Sequence, residues 1–407
     1  MIALLRECRW LTRERVAAWG MVLLIEQLFV FAFIALWQHG VFVEVGIPVS
    51  SDFVSFYAAG KLALAGTPAL AYDQAVHYLA QQRATVPGAS YQFFFYPPVF
   101  LLLCSVLATL PYLVAFVSYQ AVTLAAFLIV MRGVLRMKGW GWVAPVLAFP
   151  PVFWNAGVGQ NAFLIAALFG GFTLLIDRRP VAAGALLGML CVKPHIGLLA
   201  PLALMAGGRW RALLAAVATA AVMVGLSVLL FGWRTWQAFF AAIAGSGAIY
   251  QSGRIDFAGM ISVFGGARLM GFAAVLAYAV QATIALSMAA LIAPIWRRAA
   301  SLPPRAASLL ASTLLAVPLV LLYDELLALV AIGWLVREAG EHGFLPWEKF
   351  ILLTIYPLSL LTWTIGTAWH VPLGPAIGLT ILVLCLRRLH WTAHASGRRD
   401  EVDPTVI

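Results

Sequence analysis

Charge is what this sequence has least of. Only 10% of its 407 residues are Asp, Glu, Lys or Arg, against about 25% in soluble domains. With 63% hydrophobic residues and a mean hydropathy of +0.95, a water-soluble fold is excluded. A single soluble core stops growing beyond roughly 250–300 residues and could not hide this much apolar surface. Cysteine is scarce too. Cys8 lies near the N-terminus, and Cys104, Cys191 and Cys385 lie in apolar stretches, so neither a disulfide framework nor metal-ligand spacing is visible. Acids number 16 against 26 Lys and Arg, a net charge of +10. On a soluble protein that balance would suggest nucleic acid. Here the cations sit in short clusters between apolar runs, the pattern of cytoplasmic loops, and no nucleic-acid partner is expected. No cleavable signal is expected either: the run after Arg6, Arg9, Arg13 and Arg15 is long and lacks a small-residue cleavage site, so it reads as an anchored first helix.

What is present is a series of long apolar runs: 17–38, 112–131, 161–176, 212–231, 272–296, 306–322, 350–368 and 371–386, with shorter pieces between them. At about 20 residues per crossing they predict an all-α polytopic protein of roughly ten to twelve spans. Residues 1–390 read as one transmembrane domain and the polar stretch 391–407 as a disordered tail. Arg178–Arg179, Arg209–Arg211, Arg297–Arg298–Arg305, Arg387–Arg388 and the basic N-terminus mark the cytoplasmic side, so both termini are expected there. Residues 42–96 and 232–258 then face outward. Arg132, Arg136 and Lys138 conflict with that parity if 97–110 and 112–131 both cross; either 97–110 is re-entrant or the cluster is outside. The first outer loop has helical spacing over 53–65 and 71–84 with recurring aromatics, as in segments at a membrane interface. A loop of this length with its own structure is more often functional than connective.

Ionisable groups in or beside a membrane are costly, so each is a functional candidate. The outward acids are Glu44, Asp52, Asp73, Asp256 and Asp324–Glu325. Asp52 follows Pro48 and two serines; it fits a helix N-cap and equally a base that takes a proton from a hydroxyl. Phe93 to Pro98 opens a helix with two prolines in its first turn, either as a membrane anchor or as part of a site. The polar knot Asn155 to Asn161 offers amides for sugar hydroxyls or for neighbouring helices. Lys193-Pro194-His195 divides 181–206 into two short helices meeting at Lys193, which needs an anion such as a phosphate or a route to the interface. Asp324 is placed to pair with a cation or to cap the next helix. His390 and His394 lack a carboxylate or cysteine partner, so no metal site is expected.

In order, Asp52-Phe53, Tyr57-Ala58-Ala59-Gly60, Gly66, Tyr72-Asp73, Tyr96-Pro97-Pro98, Gly159-Gln160-Asn161, Lys193-Pro194-His195 before Pro201 and Arg209-Trp210-Arg211, then Ser262, Arg268 and Tyr323-Asp324 form a series. From about residue 50 to residue 330 it resembles glycosyltransferase family 87, bacterial polyprenyl-phosphate-mannose-dependent mannosyltransferases of the GT-C fold. No single motif is specific; order and topology together are. His195 stands where the family pattern has glutamine. The resemblance implies a GT-C-type bundle with a structured, catalytic outer first loop over 42–96, in the bacterial inner membrane. It implies a lipid-linked sugar phosphate as donor, a glycan or glycolipid hydroxyl as acceptor, membrane lipids as surroundings and no cofactor. Asp52 would be the base of an inverting single displacement. Tyr57, Asp73, Tyr96, Gln160, Asn161, Lys193, His195, Asp256, Arg268, Tyr323 and Asp324 would bind substrate. Lys193, Arg254 or Arg268 would stabilise the departing phosphate; a lipid phosphate leaves readily without the second carboxyl that most glycosidases use. The rival readings are a transporter or flippase of lipid-linked glycans, since broken helices also mark transporters, and a glycan polymerase or ligase.

Overall fold

The computed structural model describes residues 2–37, 52–85, 87–88, 90–247, 255–298 and 301–400. Glu44, Pro48 and Arg254, weighed above, lie outside the described residues. The first part of the chain forms α1 (Ile2–Glu7), α2 (Arg13–Trp37), α3 (Phe53–Leu64), α4 (Gln74–Ala84), α5 (Pro98–Ala108) and α6 (Tyr112–Leu135). The middle forms α7 (Val143–Leu147), α8 (Pro150–Val158), α9 (Ala162–Leu175), α10 (Pro180–Met189), α11 (Ala200–Ala206), α12 (Trp210–Phe231) and α13 (Trp233–Gly245). The rest forms α14 (Val263–Leu269), α15 (Ala274–Arg298), α16 (Leu302–Ala316), α17 (Leu326–His342), α18 (Glu348–Trp369) and α19 (Leu373–Asp400). Among the described residues the only β pairing is an isolated bridge between Met260 and Leu321. The protein is an all-α polytopic membrane protein.

Six helices are long and apolar enough to cross a bilayer: α2, α6, α12, α15, α18 and α19. Shorter apolar helices, among them α3, α5, α9 and α10, fill the bundle between them. The centre is α9, α16 and α17, whose side chains are buried nearly all round. The periphery is the reverse. Only 6% of the most apolar window of α12 is buried, so Leu214, Val222 and Leu229 project outward, where only hydrocarbon is a favourable neighbour. Between α10 and α12 the helices approach through small residues: Gly184 faces Ala212 and Gly188 faces Ala216. Close backbone packing through small residues is how helices associate where lipid is the solvent.

Helix length bears on two of the sequence expectations. The 11 residues of α5 reach about 16 Å at 1.5 Å per residue, half the hydrocarbon thickness, whereas the 24 residues of α6 suffice to cross. A single crossing carries Arg136 to Glu341 at the end of α17, where the two side chains pair at 3.7 Å. A helix as short as α5 is compatible with the re-entrant alternative for 97–110. At the C-terminal end α19 runs to Asp400, and residues 401–407 of the expected tail lie outside the described residues.

Candidate active site

The polar residues of the site all lie where helices break. Pro150 and Pro151 start α8, filling positions whose N–H groups would lack partners. Gly159 ends it at φ 71°, a left-handed conformation that favours glycine. Buried Asn155 ties this turn together. Its backbone carbonyl accepts from Gly159 N at 2.9 Å and Gln160 N at 3.1 Å, and its side-chain Oδ1 accepts from Ala162 N at 2.8 Å. Its Nδ2 donates to Gln120 Oε1 at 3.1 Å, and Gln120 Nε2 donates to the Gln160 carbonyl at 3.1 Å. Gln120 was not singled out from sequence, although a lone amide inside a spanning helix is the signal for such a tie.

Asp52 stands at the N-cap position of α3, yet its side chain makes no cap hydrogen bond and its backbone is already helical. The first-turn Ser55 is served instead by the Asp52 carbonyl, which accepts from Ser55 Oγ at 2.8 Å. The carboxylate turns away and accepts from Gln160 Nε2 at 2.8 Å through Oδ2. Gln160 Oε1 accepts in turn from the Tyr96 hydroxyl at 3.0 Å and from Asn161 N at 3.1 Å. Tyr96 is fixed from behind: Tyr72 Oη donates to its carbonyl at 2.8 Å, and its ring packs on Phe56 and Phe100. The Asn161 amide is wholly buried and leaves both polar atoms without a well-formed hydrogen bond, against the Tyr96 hydroxyl. Removal from water pushes the Asp52 carboxyl up to about 6, while the Gln160 hydrogen bond and the Lys193 charge pull it down.

Lys193 marks the break expected from sequence, between two short 3-10 turns that join α10 to α11. It is buried, and its partner is a carboxylate of the same chain. Its Nζ lies 2.6 Å from Asp324 Oδ1 and 5.3 Å from the centre of the Tyr323 ring. The other oxygen of Asp324 accepts from Leu321 N at 3.1 Å, so Asp324 both pairs with the cation and secures the start of its own turn. Asp324 and Asp52 both act electrostatically on Tyr96, which puts Asp52, Tyr96, Gln160, Asn161, Lys193 and Asp324 in one neighbourhood.

The remaining candidates sit elsewhere or serve other ends. Tyr57 is buried in an aromatic group with Phe53 and Tyr112 and donates to the Leu110 carbonyl at 2.9 Å. Asp73 caps α4, accepting from Ala75 N and Val76 N at 3.0 Å each. Asp256 accepts from Ala258 N at 2.9 Å and from Trp363 Nε1 at 2.6 Å. It lines an open pocket of about 680 Å³ with Phe257, Arg268 and His370, where Arg268 donates to the Phe272 carbonyl at 2.7 Å. His195 is half-buried, its ring Nε2 without a hydrogen bond. The segment from α3 to Tyr91 is tied together by His77, whose Nε2 lies 3.0 Å from the Ser55 carbonyl and whose Nδ1 lies 3.2 Å from the Tyr91 hydroxyl. Burial lowers His77 to about 4, so it is neutral near pH 7.

Fold and site together define a membrane-embedded helical protein with a carboxylate and a buried ion pair gathered at helix breaks. A family model for glycosyltransferase family 87 matches residues 94–322, more than half of the chain, and the chain belongs to that family. It is a membrane glycosyltransferase, which sets aside the transporter alternative. The match takes in Tyr96, Gln160 and Lys193; it begins after Asp52 and ends just before Tyr323 and Asp324. No curated protein sequence and no solved structure matches the chain.

Proposed function

We propose that this glycosyltransferase moves a hexose, in the first instance mannose, from a polyprenyl-phosphate donor to a hydroxyl of a glycan or glycolipid at the outer face of the bacterial inner membrane. Asp52 takes the proton of the acceptor hydroxyl. The freed oxygen attacks the anomeric carbon, the bond from that carbon to the phosphate oxygen breaks, and polyprenyl phosphate leaves with inversion. The concentration of Arg136, Arg178, Arg209 and Arg305 at the end of the bundle away from Asp52 supports placing that basic end in the cytoplasm.

One observation carries the reading: Asp52 occupies a capping position without capping, and its carboxylate is aimed instead into the polar cluster. Asp52→Asn tests it, with polyprenyl-phosphate-mannose as donor and native membrane lipids as the acceptor source. Asparagine preserves size and capping ability and removes the base. Turnover should fall by about 10²–10⁴-fold with unchanged thermal stability. Full activity would sink the role of Asp52.

A further inference from the structure

Gln160 has an amide whose orientation is fixed by its neighbours. Asn161 N can only donate, and it points at one end of the amide at 3.1 Å. That end must be oxygen, so the other end, facing Asp52 at 2.8 Å, must be the NH₂ group. The Tyr96 hydroxyl adds a second donor to the oxygen at 3.0 Å. The backbone carrying the amide is held too, by Asn155 and by Gln120. Among the described residues, Asp52 Oδ1 has no hydrogen-bond partner, while Oδ2 is held. The nearby cation is already taken: Lys193 is bonded to Asp324.

We propose that Gln160 is the positioning residue of the base: it grips Asp52 Oδ2 with a neutral donor, directs Oδ1 at the acceptor hydroxyl, and keeps the carboxylate from swinging onto Lys193. The inference rests on the reading of Asp52 as base and deepens it. A neutral donor suits the task. Pairing with a cation lowers a carboxyl by about 1–3 units, and a weaker base takes a proton less readily. An amide also lowers the carboxyl, but it orients one oxygen without bringing a second charge onto the carboxylate. Among the described residues, the charged and titratable groups around Asp52 are Lys193 from the α10–α11 junction, Asp324 from the turn before α17, and Tyr96 from the segment before α5, with Tyr119 of α6 behind Tyr96. Because Lys193 and Asp324 compensate each other, Gln160 is the group whose removal leaves the surrounding net charge unchanged.

The test reads Asp52 itself before it reads turnover. Infrared difference spectra of the protein in nanodiscs, each taken against the same protein with Asp52→Asn added, give the carboxyl titration. Gln160→Leu removes the donor that favours the carboxylate, so the midpoint should rise by about one unit. Tyr96→Phe keeps the ring but frees the amide to move, and should shift the midpoint in the same direction by less. With polyprenyl-phosphate-mannose, Gln160→Leu should lower kcat about 10- to 100-fold with little change in KM, since proton transfer occurs only in the transition state. A substrate-binding role would raise KM and leave the midpoint in place. An unmoved midpoint in both variants overturns the inference, whatever the kinetics. An inactive Asp52→Asn beside an unmoved midpoint removes the positioning role alone. A fully active Asp52→Asn removes the base reading, and this inference falls with it.

Discussion

The two ends of the bundle handle their acids in opposite ways. At the basic end Asp177 is gripped by Arg305 through both oxygens at 2.7 Å and by Arg209 at 2.7 Å. Glu348 is paired with buried Arg388, and Glu341 lies against Arg136 and Arg337. Each of these acids is answered by a guanidinium, the planar donor that satisfies a carboxylate most completely. At the other end Lys193 and Asp324 answer each other, and among the described residues Asp52 receives only an amide. The first arrangement joins α9 to α16 and α18 to α19. The second leaves a half-buried carboxylate with one oxygen that has no hydrogen-bond partner among the described residues, a costly state that packing alone gives no reason to keep.

The buried pair is the place to strike first. Asp324→Asn leaves Lys193 without its anion in a site with almost no water, and breaking a buried pair from one side costs about 3–5 kcal/mol. A large fall in thermal stability in detergent is expected. Lys193→Met combined with Asp324→Leu should recover most of it, because the pair is replaced by apolar groups of similar volume. If the double variant is stable and active, the pair is scaffold, and no donor phosphate depends on Lys193. If it is stable and inactive, the cation belongs to the chemistry.

The basic end should respond the other way. Asp177→Asn removes the anion between two arginines, but Asp177 and Arg209 are each about one third open. Solvent screening reduces the loss to about 1 kcal/mol. Thermal stability should drop slightly and kcat should hold. A dead Asp177→Asn enzyme with an intact fold would break the division between the two ends.

Much of this layout was legible in the chain. The breaks at Gly159, Lys193 and Asp324 announce themselves because a polar or left-handed residue interrupts an apolar run. The length of α5 and the fate of Arg136 did not, since a run of apolar residues reads alike whether it crosses or turns back. Nor could sequence separate Asp52, Asp73 and Asp256. Each precedes a helical turn. Two accept from the backbone of that turn, and the third has its partner 108 residues away. Lys193 and Asp324 are 131 residues apart. Such pairings depend on how α3, α8, α10 and α17 pack, which local pattern does not encode.

The pH profile sharpens the contrast between these carboxylates. Asp52 is raised to about 6 chiefly by burial, and the base works only when ionised. kcat should therefore fall as pH drops through about 6 and stay level from there toward pH 8. The groups that lower Asp52 are Gln160 and Lys193, so the acid limb should move to higher pH when either is removed. A profile flat down to pH 4.5 would mean that the essential carboxylate has an ordinary value and is not Asp52.

The smallest effect is expected at Asp73, and it is the control on which the distinction between caps and bases depends. Its carboxylate accepts from two backbone N–H groups at the start of α4 and is exposed. Asp73→Asn should change almost nothing, because asparagine caps as well as aspartate. Asp73→Ala should cost about 1 kcal/mol of stability, the usual value of a lost cap, while kcat stays within about twofold; both are measurable by thermal unfolding and by transfer from polyprenyl-phosphate-mannose. The pair of variants separates capping from charge: a loss in alanine alone is a cap, and a loss in both is a charge. If Asp73→Asn abolished turnover with its fold intact, the carboxylate that reacts would be one already bonded to its own helix, and the freedom of Asp52 would have been the wrong guide.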